Sequence, residues 1–533
     1  MKDIFVHLRI AEFLEQEWEL YSPVCRRRKE DFLHFHTPGE ECNLRHEWMI
    51  QRHFLEFLTK LPDAGENVRE SLRKIPDVSS MLEQENLAVF ELFDLKKFLL
   101  HLRKIREIWS SSSLRPFVFK HAYQNLWQFL TFSQDEHSFA IVSGYSRALS
   151  SIRTKISSLR NARDRRIQAF YRQLERKFKL KKRIMSEEFT VDLESKLLPV
   201  LRKSPHFTLI EEKGGYCLFR IRFPSAVERL NQSINNLRRK EAAAELKVLD
   251  RLNACYRKVR SNLKKDYENL ILWEKYFSLA SMSQKLGLIE PELRKRGVSV
   301  KNGRYLPLAK DLALQNLNYT PLDFETSTSA SIISGSNMGG KTQVLKAIGF
   351  LQGLFQLGFF LPAETFSSSL FFEIYFSAAE RFPEKAGLSS FGSEISYISE
   401  ALEKIDHRCL YLVDEFSRTT NIREGLALNY ALLSHFSGSK STLVLTTHFD
   451  ILTGYLKVSQ FQTGGLKGKK ELPSLYKLHG PERAAYFHKL MDYHLHPKKG
   501  SAVPEEALTI AEILGLQPGI IADARKFLVK LRK

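Results

Sequence analysis

Up to about residue 143, apolar positions recur at three- and four-residue spacing with no clear strand, which predicts helices packed on a shared core. HEWMIQRHFLEFLTKL (46–61) and NLAVFELFDLKKFLLHLRKI (86–105) carry the pattern most clearly. From 144 to 183 the spacing predicts one long helix with Ile167, Phe170, Leu174 and Phe178 as its apolar stripe. Its remaining faces are cationic: fourteen Lys or Arg stand against Asp164 and Glu175. The period then falls to two. FTLIEEKGGYCLFRIRF (207–223) reads as two strands joined at Lys213-Gly214-Gly215, a hairpin signal. Helical spacing returns over 226–286, again richly charged. A long helix out, a small β tip and a long helix back make a lever. An ordinary antiparallel helical hairpin packed on a core is the alternative, and it differs only in how exposed the tip is.

From GVSVKNGRYLPLAK (297–310) onward short apolar runs alternate with helical stretches. SASIISG, CLYLVDE and STLVLTTH are continuous apolar runs, the pattern of parallel strands covered on both faces. Residues 300–533 therefore read as an α/β domain. The apolar stretch 348–363 is broken by Gln352 and Gln356 and is too short to span a bilayer, so it reads as a buried helix.

Composition adds little to this until charge is considered. At 43% hydrophobic and 27% charged, the 533 residues suit a multidomain globular chain. No membrane association is expected. The N-terminal stretch carries acids and lacks the apolar core and cleavage site of a signal peptide, and Cys25, Cys42, Cys217, Cys255 and Cys409 show no metal or disulfide spacing. A cytoplasmic protein with reduced thiols is expected. The net charge of +20 favours a polyanionic partner through counterion release.

Three strand ends carry the chemistry. Gly335-Ser336-Asn337-Met338-Gly339-Gly340-Lys341-Thr342 satisfies GxxxxGK[ST] between an apolar strand and a helix, the setting of a phosphate-binding loop. Its N–H groups and the helix N-terminus suit the phosphates of ATP. Lys341 suits the β- and γ-phosphates, and the Thr342 hydroxyl suits Mg²⁺. Leu410–Glu415 ends a second strand in two acids: Asp414 fits the Mg²⁺ position, and Glu415 can polarise the attacking water. His448 ends a third strand at the edge where ligands of open α/β sheets gather, as a γ-phosphate sensor or as a structural histidine.

The order GSNMGGKT, SSFGSEI (389–395), LVDEFSRTTNIREG (412–425) and TTHFD (446–450) resembles the ATPase domain of MutS proteins. The resemblance covers residues 300–533 well and extends loosely to the helical part, through stretches such as LASMSQKLGLIEPEL (279–293). It implies an ABC-like composite site across a dimer, with Ser389 and Ser390 reaching the partner subunit's γ-phosphate, Asn337 near the nucleotide and His448 as the switch histidine. It also implies a closing helix-turn-helix for dimerisation, for which DNA reading is the alternative. The domains are then a mainly α helical core (1–143), lever helices with a β tip near 207–223 (144–296), a P-loop ATPase domain (297–499) and the helix-turn-helix (500–533). Departures are visible. MutS repair proteins have DE-x-G-R-G-T where this chain has Ser417 and Thr419, and the family usually has Pro at Ser336. The family's N-terminal module with its Phe-x-Glu wedge is expected to be missing, since the chain starts near where the helical core would begin. Tyr319 is a candidate for stacking on the adenine.

Two functions fit. One is a homodimer, or a dimer with a MutS-like partner, that binds mismatched, branched or otherwise distorted double-stranded DNA and couples ATP binding and hydrolysis to clamp movement, in mismatch repair or recombination. The other rests on LSSFGSEI and DEF-x-R-x-TN, which look like the short MutS-like subunit of the reactivase for cobalamin-dependent lysine 5,6-aminomutase. That reading needs a small partner subunit and an aminomutase client, without DNA. The concentrated charge favours DNA.

Overall fold

A computed structural model describes residues 2–110, 123–132, 138–179, 186–326, 328–335, 338–378, 390–418, 420–448, 458–467, 486–498 and 506–531. The chain is mixed α/β and rich in helix, with three sheets among the described residues, and it divides into two compact units. One takes residues 1–73, a short stretch from 107 and everything from 269. The other takes 74–106 and 119–268.

In the second unit the basic helix runs Arg147–Phe178, and the returning helix Ser225–Leu286 starts here. Arg153 ties the two through Glu241 (2.7 Å) and Glu245 (2.5 Å). The expected apolar stripe is the core of the tip: Phe170, Leu174 and Phe178 are buried with Leu198, Leu201, Phe207, Cys217 and Phe219, and Ile167 packs against them. The hairpin forms as its turn signal predicts, because Gly214 and Gly215 take the left-handed φ of 59° and 87° that a two-residue connection needs. The tip is larger than the expected hairpin. Strand β1 (Glu188–Asp192) precedes β2 (Phe207–Lys213) and β3 (Tyr216–Ile221), and the order is β1-β3-β2, all antiparallel. EFTVD is short and flanked by charges, so its alternation is weak in the sequence.

The first unit holds β4 (Glu292–Leu293), β5 (Val298–Gly303), β6 (Leu322–Glu325), β7 (Ala330–Ser334), β8 (Thr365–Ser368), β9 (Ile374–Ser377), β10 (Leu410–Asp414), β11 (Thr442–Thr447), β12 (Ser459–Leu466) and β13 (Met491–Pro497). Strands β4, β8, β5 and β6 make a small sheet. The main sheet has the order β13-β12-β7-β11-β10-β9, parallel throughout except for the antiparallel edge strand β13. The three apolar runs picked out in the sequence are the adjacent central strands β7, β11 and β10. Both faces are covered, as continuous apolar strands require. Ala330, Ile332, Tyr411, Val413, Leu443 and Leu445 meet Ile398 of helix Ser390–Leu402 and Leu433 and Phe436 of helix Ile422–Phe436. The opposite face packs on helix Lys341–Gln356, every residue of which from Ala347 on is buried. Gln352 and Gln356 are tolerated in that core because their amides are bonded: Gln356 Nε2 donates to His36 O and Phe371 O, each at 2.7 Å.

No helix among the described residues is long and apolar enough to cross a membrane. The five cysteines are free.

Candidate functional site

The chain leaves β7 for helix Lys341–Gln356 through the glycine-rich loop, at the carboxyl edge of the main sheet beside the ends of β10 and β11. Gly335 leaves β7 with φ 146°, and a Cβ there would run into Thr463 Oγ1 of β12, so both backbone and space demand glycine. Lys341 is buried. Its Nζ donates to Gly335 O at 3.0 Å and pairs with Glu415 Oε1 at 3.2 Å. Thr342 Oγ1 donates to Asp414 Oδ2 at 2.7 Å.

Strand register supplies a participant the sequence reading did not single out. Asp414 stands opposite Thr446, whose Oγ1 donates to Asp414 Oδ1 at 2.6 Å and accepts the Glu415 N–H at 3.0 Å. A hydroxyl at the carboxyl end of the neighbouring parallel strand was the available signal. Burial pushes the Asp414 carboxyl up, against the hydrogen bonds from Thr446 and Thr342. The structure thus brings together Gly335, Lys341, Thr342, Asp414 and Glu415. Gly339 is buried in the loop, Gly340 precedes the helix, and Met338 is exposed. His448 follows β11 at the same sheet edge, with its ring exposed. Ser336, Asn337, Ser389 and Thr419 lie outside the described residues, and Ser390 is described only as the first residue of helix Ser390–Leu402.

Beyond β10 the backbone is strained. Glu415 and Ser417 take φ 48° and 60°, the left-handed region, which costs a residue with a side chain about 1–2 kcal/mol. Ser417 is one of the positions where the resemblance leads one to expect glycine, and this chain meets the left-handed backbone there with a serine, at a cost. Ser417 N donates to Glu394 Oε2 at 3.3 Å. Burial pushes the Glu394 carboxyl up to about 7, with Asp414 adding to the rise and the Ser417 N–H and Arg418 opposing it.

A cavity of about 160 Å³ opens beside the loop, lined by Leu312, Tyr319, Pro321, Val344, His488 and Tyr493 among others. Tyr319 therefore does stand next to the loop, its hydroxyl accepting the Tyr305 N–H at 2.8 Å. The His488 and Tyr493 rings meet at 4.8 Å between centroids, tilted by 39°, and burial lowers the His488 pKa, which favours the neutral ring. Neither was singled out in the sequence, since both lie far along the chain from the motifs.

Comparison with known proteins gives the following. Residues 331–532 match the MutS domain V family. The endonuclease MutS2 of Halothermothrix orenii is 30% identical over 236 residues, 44% of this chain and 29% of the relative. The DNA mismatch repair protein Msh3 of Dictyostelium discoideum is 31% identical over 263 residues, 47% of this chain and 18% of the relative. The MutS2 of Geobacillus thermodenitrificans is 26% identical over 321 residues, 59% of this chain and 40% of the relative. The chain thus spans well under half the length of these relatives.

Proposed function

We propose, from the premise that this chain is a MutS-family protein, that it is a dimeric ATPase acting on DNA. The observation that carries the reading is the meeting of Lys341, Thr342, Asp414 and Glu415 at one sheet edge. The loop 335–342 takes the triphosphate of ATP, with Lys341 as the cation and the helix N-terminus behind it. Thr342 Oγ1 and the Asp414 carboxylate, 2.7 Å apart, are the hard oxygen donors that fit Mg²⁺. The ion, when bound, neutralises charge on the phosphates. Glu415 polarises and orients the water. A triphosphate in the loop draws Lys341 away from Glu415 and frees that carboxylate for the water. The base sits in the cavity between Tyr319 and the His488–Tyr493 wall. His448 senses the γ-phosphate, and Ser389 and Ser390 complete the partner subunit's site.

Helices Ala507–Leu514 and Pro518–Leu531, with exposed Leu514, Ile520, Phe527 and Val529, serve dimerisation as a homodimer or with a MutS-like partner. DNA is gripped by the basic helix. Arg165, Arg172 and Arg176 recur at i, i+7 and i+11, roughly opposite the apolar stripe, and are exposed. Among the described residues none of the three has a carboxylate partner. Such a row contacts phosphates without reading bases, so preference follows duplex shape.

The test is equilibrium binding of duplex and branched DNA across a salt series, with and without ATP. Three phosphate contacts give a log–log slope steeper by about 2.7 than the same protein without them. ATP is expected to change the affinity. Weak binding with a shallow slope and no ATP response overturns the DNA reading, and leaves that of a reactivase subunit with a small partner and an aminomutase client.

A further inference from the structure

Helix Ile422–Phe436 passes beneath the loop that follows Glu415. It starts after Asn421, whose side chain accepts the Arg423 N–H at 2.9 Å, and about two turns in it presents Asn429, fully buried. The Asn429 amide joins that loop to the first turn of its own helix. Its Nδ2 donates to Phe416 O at 2.9 Å, to Ser417 Oγ at 3.1 Å and to Gly425 O at 2.7 Å. Ser417, itself buried, passes its own hydroxyl on to Gly425 O at 3.4 Å. The Asn429 Oδ1 is buried with no hydrogen-bond partner among the described residues. A buried amide that leaves its acceptor unpaired while its donor side serves three oxygens is held where it is by what the donor side binds.

The loop so held is the strained one. Glu415 and Ser417 both sit at left-handed φ, a conformation that a non-glycine residue keeps only when its surroundings over-determine it. Two attachments do so: Asn429 from below, and Glu394, which accepts the Ser417 N–H, from helix Ser390–Leu402. The Glu415 carboxylate then has a fixed station, 3.2 Å from Lys341 Nζ on one side and with its own N–H held by Thr446 on the other.

We propose that Asn429 is a positioning residue for ATP hydrolysis: paired with Ser417, it locks the turn 415–417 and so sets the Glu415 carboxylate against the site of the attacking water. The pair substitutes for the freedom of a glycine. Where a glycine takes φ near 60° without strain, Ser417 takes it because its hydroxyl is bonded to Asn429 and Gly425. The proposal rests on the ATPase reading for its catalytic half and on geometry alone for its structural half.

The experiment compares the full-length wild type with Asn429→Ala, Ser417→Gly and the double variant, by single-turnover ATP hydrolysis, by ATP affinity and by amide hydrogen exchange over 415–418. A displacement of the order of 1 Å at a reacting group costs up to about a hundredfold in rate. Asn429→Ala is expected to lower the hydrolysis rate by about ten- to a hundredfold, with ATP affinity within about twofold of wild type, and to speed exchange across the loop. Adding Ser417→Gly is expected to recover at least about half of the lost rate on a logarithmic scale, because glycine needs no clamp to hold φ 60°. A role confined to packing would not be rescued by removing a second side chain. Hydrolysis unchanged in Asn429→Ala, or an Asn429→Ala loss that Ser417→Gly leaves untouched, overturns the proposal. If the wild type hydrolyses no ATP, the ATPase reading fails, and the exchange measurement still decides the clamp: unaltered protection in Asn429→Ala refutes it.

Discussion

The nucleotide edge and the basic arm are built on opposite logics. At the edge, the proposed function rests on convergence: Lys341 and Thr342, Asp414 and Glu415, and Thr446 lie far apart in the chain and meet because three parallel strands end side by side. On the arm, the proposed DNA grip rests on repetition along one helix. Its turns place Phe170, Leu174 and Phe178 on one side and Arg165, Arg172 and Arg176 on the other. The charge stays on the shaft. In the tip, Glu187, Glu188, Asp192, Glu194, Glu211 and Glu212 offset Lys196, Arg202, Lys203, Lys213, Arg220 and Arg222. A convergent site is therefore fragile to a single substitution, whereas a repeated surface loses strength in steps.

That contrast can be broken in order of effect. Glu415→Gln is expected to preserve ATP binding while hydrolysis falls by two or more orders of magnitude, since a positioned acid–base group contributes roughly 10²–10⁴-fold. Undiminished turnover would remove Glu415 from the mechanism. On the arm, replacing Arg165, Arg172 and Arg176 together by Ala is expected to weaken DNA binding about a hundredfold at physiological salt and to flatten the salt slope by about 2.7, with each single change giving about a third of that slope. Hydrolysis in the absence of DNA should not move. The matching triple change in the tip, Lys203, Lys213 and Arg222 to Ala, is expected to cost less than a third as much in slope. An equal or larger loss from the tip would reverse the comparison.

The smallest effect separates a half-buried carboxyl of the edge from the solvated charges of the arm. Glu394, pushed up to about 7 by burial, holds a proton in the folded chain that the unfolded chain releases near its ordinary pKa. The fold then binds more protons than the unfolded state between about pH 4.3 and pH 7, so this contribution falls as pH rises through that window and is flat above it. Glu394→Gln removes the loss. Its melting temperature relative to wild type is expected to be higher at pH 8 than at pH 5, by about one or two degrees. An identical difference at the two pH values would contradict the assignment.

Much of this was legible in the sequence, for reasons that differ by region. β7, β10 and β11 were visible because strands covered on both faces must be continuously apolar, and the loop 335–342 because its glycines answer a backbone need. The basic helix was visible because periodicity survives without knowledge of any partner. Thr446 was not singled out because its role depends on register, which only pairing with β10 defines. Ser417 was visible as a departure from glycine, but its reason lay in Asn429, twelve residues on and invisible until the helix turned it beneath the loop. β1 escaped because a five-residue strand between charged flanks carries too few apolar positions to mark its alternation.

The central claim is that the convergent edge drives an arm that holds DNA. It is tested most directly by the steady-state ATP hydrolysis rate of the full-length protein with no DNA, with linear duplex and with branched DNA, in wild type and in the Arg165, Arg172, Arg176 triple variant. The account predicts that DNA changes the wild-type rate by at least about threefold, and that the triple variant keeps its DNA-free rate and loses the response at the same DNA concentration. A wild-type rate indifferent to both DNAs would contradict it.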